Sequence, residues 1–183
     1  MIGVDLFSGC GGMSLGFQNA KVKVVKAFEY WDEAIKCYKE NFNHPVIKAD
    51  LSKFETIIED VASLKPDVIF GGPPCQDFSH AGNRFEGSNA DLTRAFAKII
   101  AHVCPSWFVM ENVDRTRKSQ AYTNARGILK NNGYGITEIV LDASYCGVPQ
   151  KRKRFFSIGL RNANDGFLLG GLESRLSTES ITV

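Results

Sequence analysis

A cysteine directly after two prolines is the side chain in this sequence best suited to covalent chemistry. The segment reads Gly71-Gly72-Pro73-Pro74-Cys75-Gln76. A thiolate is a strong nucleophile once its pKa is lowered. A rigid backbone beside it fixes the angle at which sulfur meets an electrophile. Taken alone, the segment serves equally well as a structural cysteine in a proline-rich turn. A second candidate is Glu111 in Met110-Glu111-Asn112-Val113. A carboxyl in a partly apolar pocket has a raised pKa and can donate a proton. The bland alternative is a solvated strand end. A third is Gln150-Lys151-Arg152-Lys153-Arg154, a run of cations able to bind a phosphate backbone. Alternate side chains of a strand share a face, so Arg152 and Arg154 are expected to converge on one site.

Other residues could bind rather than react. Asp5-Leu6-Phe7-Ser8-Gly9-Cys10-Gly11-Gly12 follows an apolar run. A glycine-rich turn after a first strand lets a ligand approach the backbone and aims amide groups at it. A tight strand-to-helix turn needs glycine too. Glu29 comes about twenty residues later, where a carboxylate can accept from ribose hydroxyls. Asp50 ends a third apolar run and can accept from an exocyclic amine. Either acid alone is as easily explained by solvation; together they point to an adenosine-containing cofactor. No Lys-Ser/Thr pair follows the glycines, so this is not a Walker loop and phosphate is not the obvious ligand.

The elements that must position these groups alternate. Strand-like runs are expected at Ile2–Phe7, Val22–Phe28, Val46–Ala49, Asp67–Phe70, Trp107–Met110, Ile136–Leu141 and Phe155–Leu160. Helical spacing is expected over Asp32–Phe42, Phe54–Leu64, Leu92–Val103 and Ala121–Lys130. This predicts an α/β fold: a doubly wound, mostly parallel sheet whose ligand lies beyond the carboxyl ends of the strands. The candidates above all follow strands. Residues 1–160 are read as one catalytic unit, and 161–183, rich in Asn, Gly, Ser and Thr, as a linker with no stable element or the opening of a further region.

The chain has 183 residues and a formal net charge of +2. That length supports one substantial core, and the charge neither demands nor excludes nucleic acid. No run approaches the roughly 20 apolar residues of a membrane span. The first residues lack the pattern of a signal peptide. The five cysteines, Cys10, Cys37, Cys75, Cys104 and Cys146, show no CxxC spacing, so no metal site is expected. A cytoplasmic chain with reduced thiols is expected, with every cysteine except Cys75 structural and most of them buried.

In this order these elements resemble the cytosine-5 DNA methyltransferases. The resemblance covers residue 1 to about 160, and its most specific parts are Pro73-Pro74-Cys75-Gln76 and Gln150-x-Arg152-x-Arg154. It implies a Rossmann-like methyltransferase fold of the restriction-modification kind, with S-adenosylmethionine as cofactor and S-adenosylhomocysteine as its product. It places the cofactor against Phe7, Ser8, Gly9, Cys10, Gly11, Gly12, Glu29, Tyr30, Trp31, Asp50, Leu51, Pro73 and Leu92. It makes Cys75 the nucleophile toward a flipped-out cytosine in duplex DNA and Glu111 the partner of ring N3. Arg154 would hold the base and Glu111, Arg152 a phosphate, and Gln76–Asn89 would be a closing loop. The family's Asp-x-Arg pattern after that loop is replaced by Ser88-Asn89-Ala90-Asp91-Leu92. Its target-recognition region and later motifs are not visible after Leu160, which leads to the expectation of one part of a split or truncated enzyme, with a second polypeptide at the DNA in the split case. The alternatives are a tRNA cytosine-5 methyltransferase, whose Cys-Phe-Thr element this chain lacks, and a non-catalytic remnant or binding module.

Overall fold

A computed structural model describes residues 1–74 and 88–181, and from Ser88 to Asp91 the backbone alone. The elements in chain order are β1 (Ile2–Leu6), α1 (Gly12–Asn19), β2 (Lys23–Glu29), α2 (Asp32–Asn41), β3 (Val46–Lys48), α3 (Ile58–Ser63), β4 (Val68–Gly71), α4 (Ser88–Val103), β5 (Trp107–Asn112), α5 (Gln120–Asn131), β6 (Tyr134–Asp142), β7 (Lys153–Arg161) and α6 (Leu169–Glu173). Short 3-10 turns lie at Leu51–Thr56, Asp114–Lys118 and Ala143–Tyr145.

The seven strands form one sheet in the order β3-β2-β1-β4-β5-β7-β6. Strands β1 to β5 are mutually parallel, and β7 runs antiparallel between β5 and β6. The expected α/β architecture is therefore present. Alternation divides the side chains between the two faces. Val4, Leu6 and Ile69 enter the larger core with residues of α4 and α5. Val24, Val68 and Phe70 face α1, where Phe17 stacks on Phe70 at 3.8 Å between ring centres. Contacts of this kind contribute about 1 kcal/mol beyond the area they bury.

The register explains two glycines. Gly71 pairs with Leu6 across β1 and β4. A Cβ there would lie 1.9 Å from the Leu6 carbonyl oxygen. Gly11 has φ +95°, and a Cβ would come within 2.2 Å of the Phe42 ring. The first lets two strands close up at the site; the second presses the first turn onto α2.

Three sequence expectations fail here. No helix was expected over Gly12–Asn19, yet α1 forms there. It has glycine at positions 12 and 16, exposes Leu15 and fully buries only Ser14, so no apolar stripe announces it. The helix expected at Phe54–Leu64 is broken. Asp50 accepts from the backbone N–H of Ser52 and starts a 3-10 turn that stops before α3. The tail, expected to hold no element, contains α6. Before it, Asp165 accepts from the Ile136 N–H (2.8 Å) and pairs with Lys130 (2.7 Å) and Arg126 (3.1 Å). Those contacts cover the outer edge of β6, and no local pattern encodes them. Among the described residues no helix is long and apolar enough to cross a membrane.

Candidate active site and its family

Strand order reverses at β1, between β2 and β4. A doubly wound sheet leaves a crevice at such a point, beyond the carboxyl ends of its strands. A cavity of about 760 Å³ opens there. Its lining includes seven of the expected cofactor contacts: Phe7, Glu29, Tyr30, Trp31, Asp50, Leu51 and Leu92. Ala49, Ser52, Gly72 and Pro74 also line it and were missed, because only the crossing of strands brings them to this wall.

Glu29 organises the first turn. Its Oε2 accepts from the Gly9 N–H (2.7 Å), and its Oε1 from the Tyr30 and Trp31 N–H groups (2.8 and 2.9 Å). The carboxylate expected to take a ribose thus also ties the loop after β1 to the end of β2. Gly9 and Gly11 both adopt positive φ, and the Gly11 N–H donates to the Ser8 carbonyl (2.9 Å). Ser8, Gly9, Cys10, Gly11, Gly12 and Pro73 are not among the cavity-lining residues; they form the turn and strand end behind it. Tyr30 and Trp31 are largely exposed at the mouth. Asp50 lies just past β3, and its hydrogen bonds from Ser52 hold its carboxyl below the usual range.

Behind the turn, Asp5 is wholly buried and faces α1. Its Oδ2 accepts from Ser14 Oγ (2.6 Å), and Ser14 Oγ bonds Tyr38 Oη (2.6 Å), which in turn meets His44 Nε2 (2.6 Å). Asp5 Oδ1 and Ser8 Oγ are buried with no hydrogen-bond partner among the described residues. Burial pushes the Asp5 carboxyl up to about 8, against the Ser14 hydrogen bond, with a further push from Glu29.

The reacting groups were expected on β4 and β5, and these strands are neighbours, with Gly71 opposite Met110. Cys75 lies outside the described residues, as does the expected loop up to residue 87; α4 already begins at Ser88. The approach to Cys75 is fixed: Asn112 Nδ2 donates to the Pro73 carbonyl (2.9 Å), and Pro74 lines the cavity. Glu111 Oε2 stands 3.1 Å from where a Cβ on Gly72 would be. Burial raises the Glu111 pKa, and the charges of Arg154 and Arg152 pull it back. Arg154 Nε lies 2.9 Å from Glu111 Oε1. Only Arg154 contacts Glu111; Arg152 precedes β7 rather than lying in it, so the two do not share a strand face, and its charge reaches Glu111 from farther away.

The expectation of buried structural cysteines is wrong for the four that are described. Cys10 and Cys146 are exposed, and Cys37 and Cys104 are half-buried. Cys10 sits on the glycine turn beside the Cys37 thiol, whose pKa it raises. Both therefore pack at the surface where α2 meets the turn.

A family model for C-5 cytosine-specific DNA methylase matches residues 1–181. The chain belongs to that family. Within it, the chain is 49% identical over 181 residues to Type II methyltransferase M.HindV of Haemophilus influenzae, covering 98% of this chain and 60% of that one. It is 47% identical over 181 residues to Type II methyltransferase M.HgiDI of Herpetosiphon aurantiacus, covering 98% and 59%. This C-5 methylase chain thus spans about 60% of the length of the curated relatives it matches. Its fold matches the crystal structure of Schizosaccharomyces pombe Dnmt2 methyltransferase with a TM-score of 0.76 at 23% identity, covering 90% of this chain and 50% of that one. It matches Entamoeba histolytica methyltransferase EhMeth at 0.77 and 22%, covering 89% and 53%. At those identities the likeness concerns the fold.

Proposed function

We propose that this chain carries the catalytic half of a DNA cytosine-5 methyltransferase of the restriction-modification kind, using S-adenosylmethionine. The observation that carries the reading is Glu111. It is a half-buried carboxyl with a raised pKa, clamped by Arg154, beside the backbone that leads into Pro73-Pro74-Cys75.

The cavity suits the cofactor. Phe7, Trp31 and Leu51 offer apolar surface to an adenine, Asp50 an acceptor for its amine, and Glu29 keeps a lone pair for a ribose hydroxyl. When bound, S-adenosylmethionine supplies an electrophilic methyl group on a sulfonium centre. The chain's own residues act on the cytosine. Carbon-5 of cytosine is a poor nucleophile. The Cys75 thiolate adds to carbon-6 and forms a C–S bond, and the ring electrons pass toward N3, where Glu111 donates its proton or hydrogen bond. The resulting enamine makes carbon-5 nucleophilic. Arg154 holds the Glu111 carboxyl in place and is within reach of the base carbonyl. Once carbon-5 carries the methyl group, its proton leaves to water, Cys75 is expelled as the thiolate and the N3 proton returns to Glu111, which restores the aromatic ring. A stacked base cannot reach this cavity, so the substrate is a flipped cytosine.

Target recognition is assigned to sequence outside these 183 residues, as the greater length of the relatives supports. Both parts work at DNA in the cytoplasm. Methyl transfer to duplex DNA, measured with and without a complementing C-terminal chain, tests the proposal. Cys75→Ser is expected to reduce transfer to background while S-adenosylmethionine still binds by calorimetry. Full activity of Cys75→Ser would remove the covalent mechanism, and full activity of the isolated chain would remove the need for sequence outside these 183 residues.

A further inference from the structure

We propose that the 3-10 turn Asp114–Lys118, through Arg115 and Lys118, extends the cationic segment entering β7 into a phosphate-binding rim for the backbone of duplex DNA. The inference rests on the reading of the site given above and adds to it a surface far in sequence from the cationic run.

The sheet register brings the two segments together. β5 and β7 pair antiparallel up to Asn112 opposite Phe155. Beyond that pair one chain continues into the turn while the other arrives from Lys151–Lys153, at the same end of the sheet. The turn packs against β7. Its inner side is fixed, because Thr116 is buried and Ser119 caps α5 by accepting from the Tyr122 N–H (3.1 Å). Its outer side presents Arg115, Arg117 and Lys118 to solvent. The facing segment exposes Lys151, Arg152 and Lys153 and is held by the Arg152 N–H donating to Asp142 Oδ1 (3.2 Å).

The acids nearby are already engaged. Asp114 pairs with Arg117 (3.0 Å), Glu111 with Arg154 (2.9 Å), and Asp142 accepts from Ser144 and the Arg152 N–H. Arg115, Lys118, Lys151, Arg152 and Lys153 form no ion pair among the described residues. A run of cations is ordinarily a solvated face. Here two distant segments converge in a chain whose whole net charge is only +2, so positive charge is concentrated at this rim. Its position supplies the ligand. A base held at Glu111 leaves its sugar and flanking phosphates outside the pocket, beside these cations.

The test compares the unsubstituted chain with Arg115→Ala/Lys118→Ala and with Lys36→Ala/Lys39→Ala, which removes the same charge from α2. Binding to a cytosine-containing duplex of about 20 base pairs is followed by fluorescence anisotropy between about 50 and 200 mM salt. Each phosphate contact contributes about 0.9 to the slope of log K against log salt. The rim variant is expected to flatten that slope by about two and to weaken binding by a similar factor on every duplex sequence, with an unchanged thermal midpoint. The α2 variant is expected to keep the slope. An unchanged slope in the folded rim variant overturns the inference, as does equal flattening in both variants. Tighter binding of an RNA duplex of equal length overturns the assignment to DNA. Methyl transfer by Cys75→Ser is scored separately, so loss of the catalytic reading and loss of the rim are distinguishable.

Discussion

Glu111 and Asp5 are both carboxyls that burial holds toward the neutral form, with different consequences. Glu111 retains its proton to higher pH than an exposed glutamate. A step that needs the protonated form should therefore fade as pH rises through that raised value. Arg154 opposes the shift, so Arg154→Gln is expected to move the alkaline limb of the methyl-transfer profile upward while lowering the rate. Glu111→Ala is expected to cost about 10²–10⁴-fold, and Glu111→Gln, which still donates to a ring nitrogen, to lose less and to lose the limb. Rates measured across pH check both. Asp5 affects folding instead. Its folded pKa of about 8 lies above the ordinary aspartate value of 3.8, so between those values the folded state holds a proton that the unfolded chain has released. Stability should decline as pH rises through that window, by at most about 1.4 kcal/mol per pH unit. Asp5→Asn is expected to flatten the decline, read as thermal midpoints from about pH 5 to 8. Glu111 and Arg154 were legible as candidates because their residue types and strand positions carry chemistry, and the resemblance implied that Arg154 orients Glu111. The Asp5–Ser14–Tyr38–His44 chain was not, since it joins β1, α1 and α2 through contacts that only the fold creates.

Among the elements, the turn between β1 and α1 is the most constrained. Gly11 combines a positive φ with a Cβ position 2.2 Å from the Phe42 ring. Gly11→Ala is expected to displace the turn from α2, lowering the thermal midpoint and weakening cofactor binding; overpacking alone costs about 1–3 kcal/mol. Calorimetry with S-adenosylmethionine beside a melting curve checks this. The edge of β6 offers a second case. Burial costs Asp165 little, and its hydrogen bond from Lys130 holds its pKa down to about 2. The stabilisation it gives is present above its unfolded pKa and is lost as pH falls through about 2. Asp165→Ala is expected to speed hydrogen exchange at the Ile136 amide with little effect on the β1–β5 core. The helices and strands with strong periodicity were legible from sequence. α1 and the tail were not, because α1 is held by Ser14, Met13 and Phe17 docking on the sheet rather than by an apolar stripe, and the tail by ion pairs to α5.

For the whole molecule, sequence alone determined the α/β class, the order of the seven strands along the chain, the family, and the types of residue expected at the site. These follow from local period and from motifs whose residue types have few other uses. Tertiary structure decided what those residues meet. It placed β4 against β5, so that Glu111 faces the backbone at Gly72, and it paired β7 antiparallel to β5, so that Arg154 reaches Glu111. It put Ala49, Ser52, Gly72 and Pro74 on the cavity wall and brought the turn after β5 beside the cationic entry to β7. It also left Cys10 and Cys146 at the surface. The physical reason is the same throughout: a chain encodes its elements through neighbours a few residues away, whereas a site is built from residues that only strand order and register bring together.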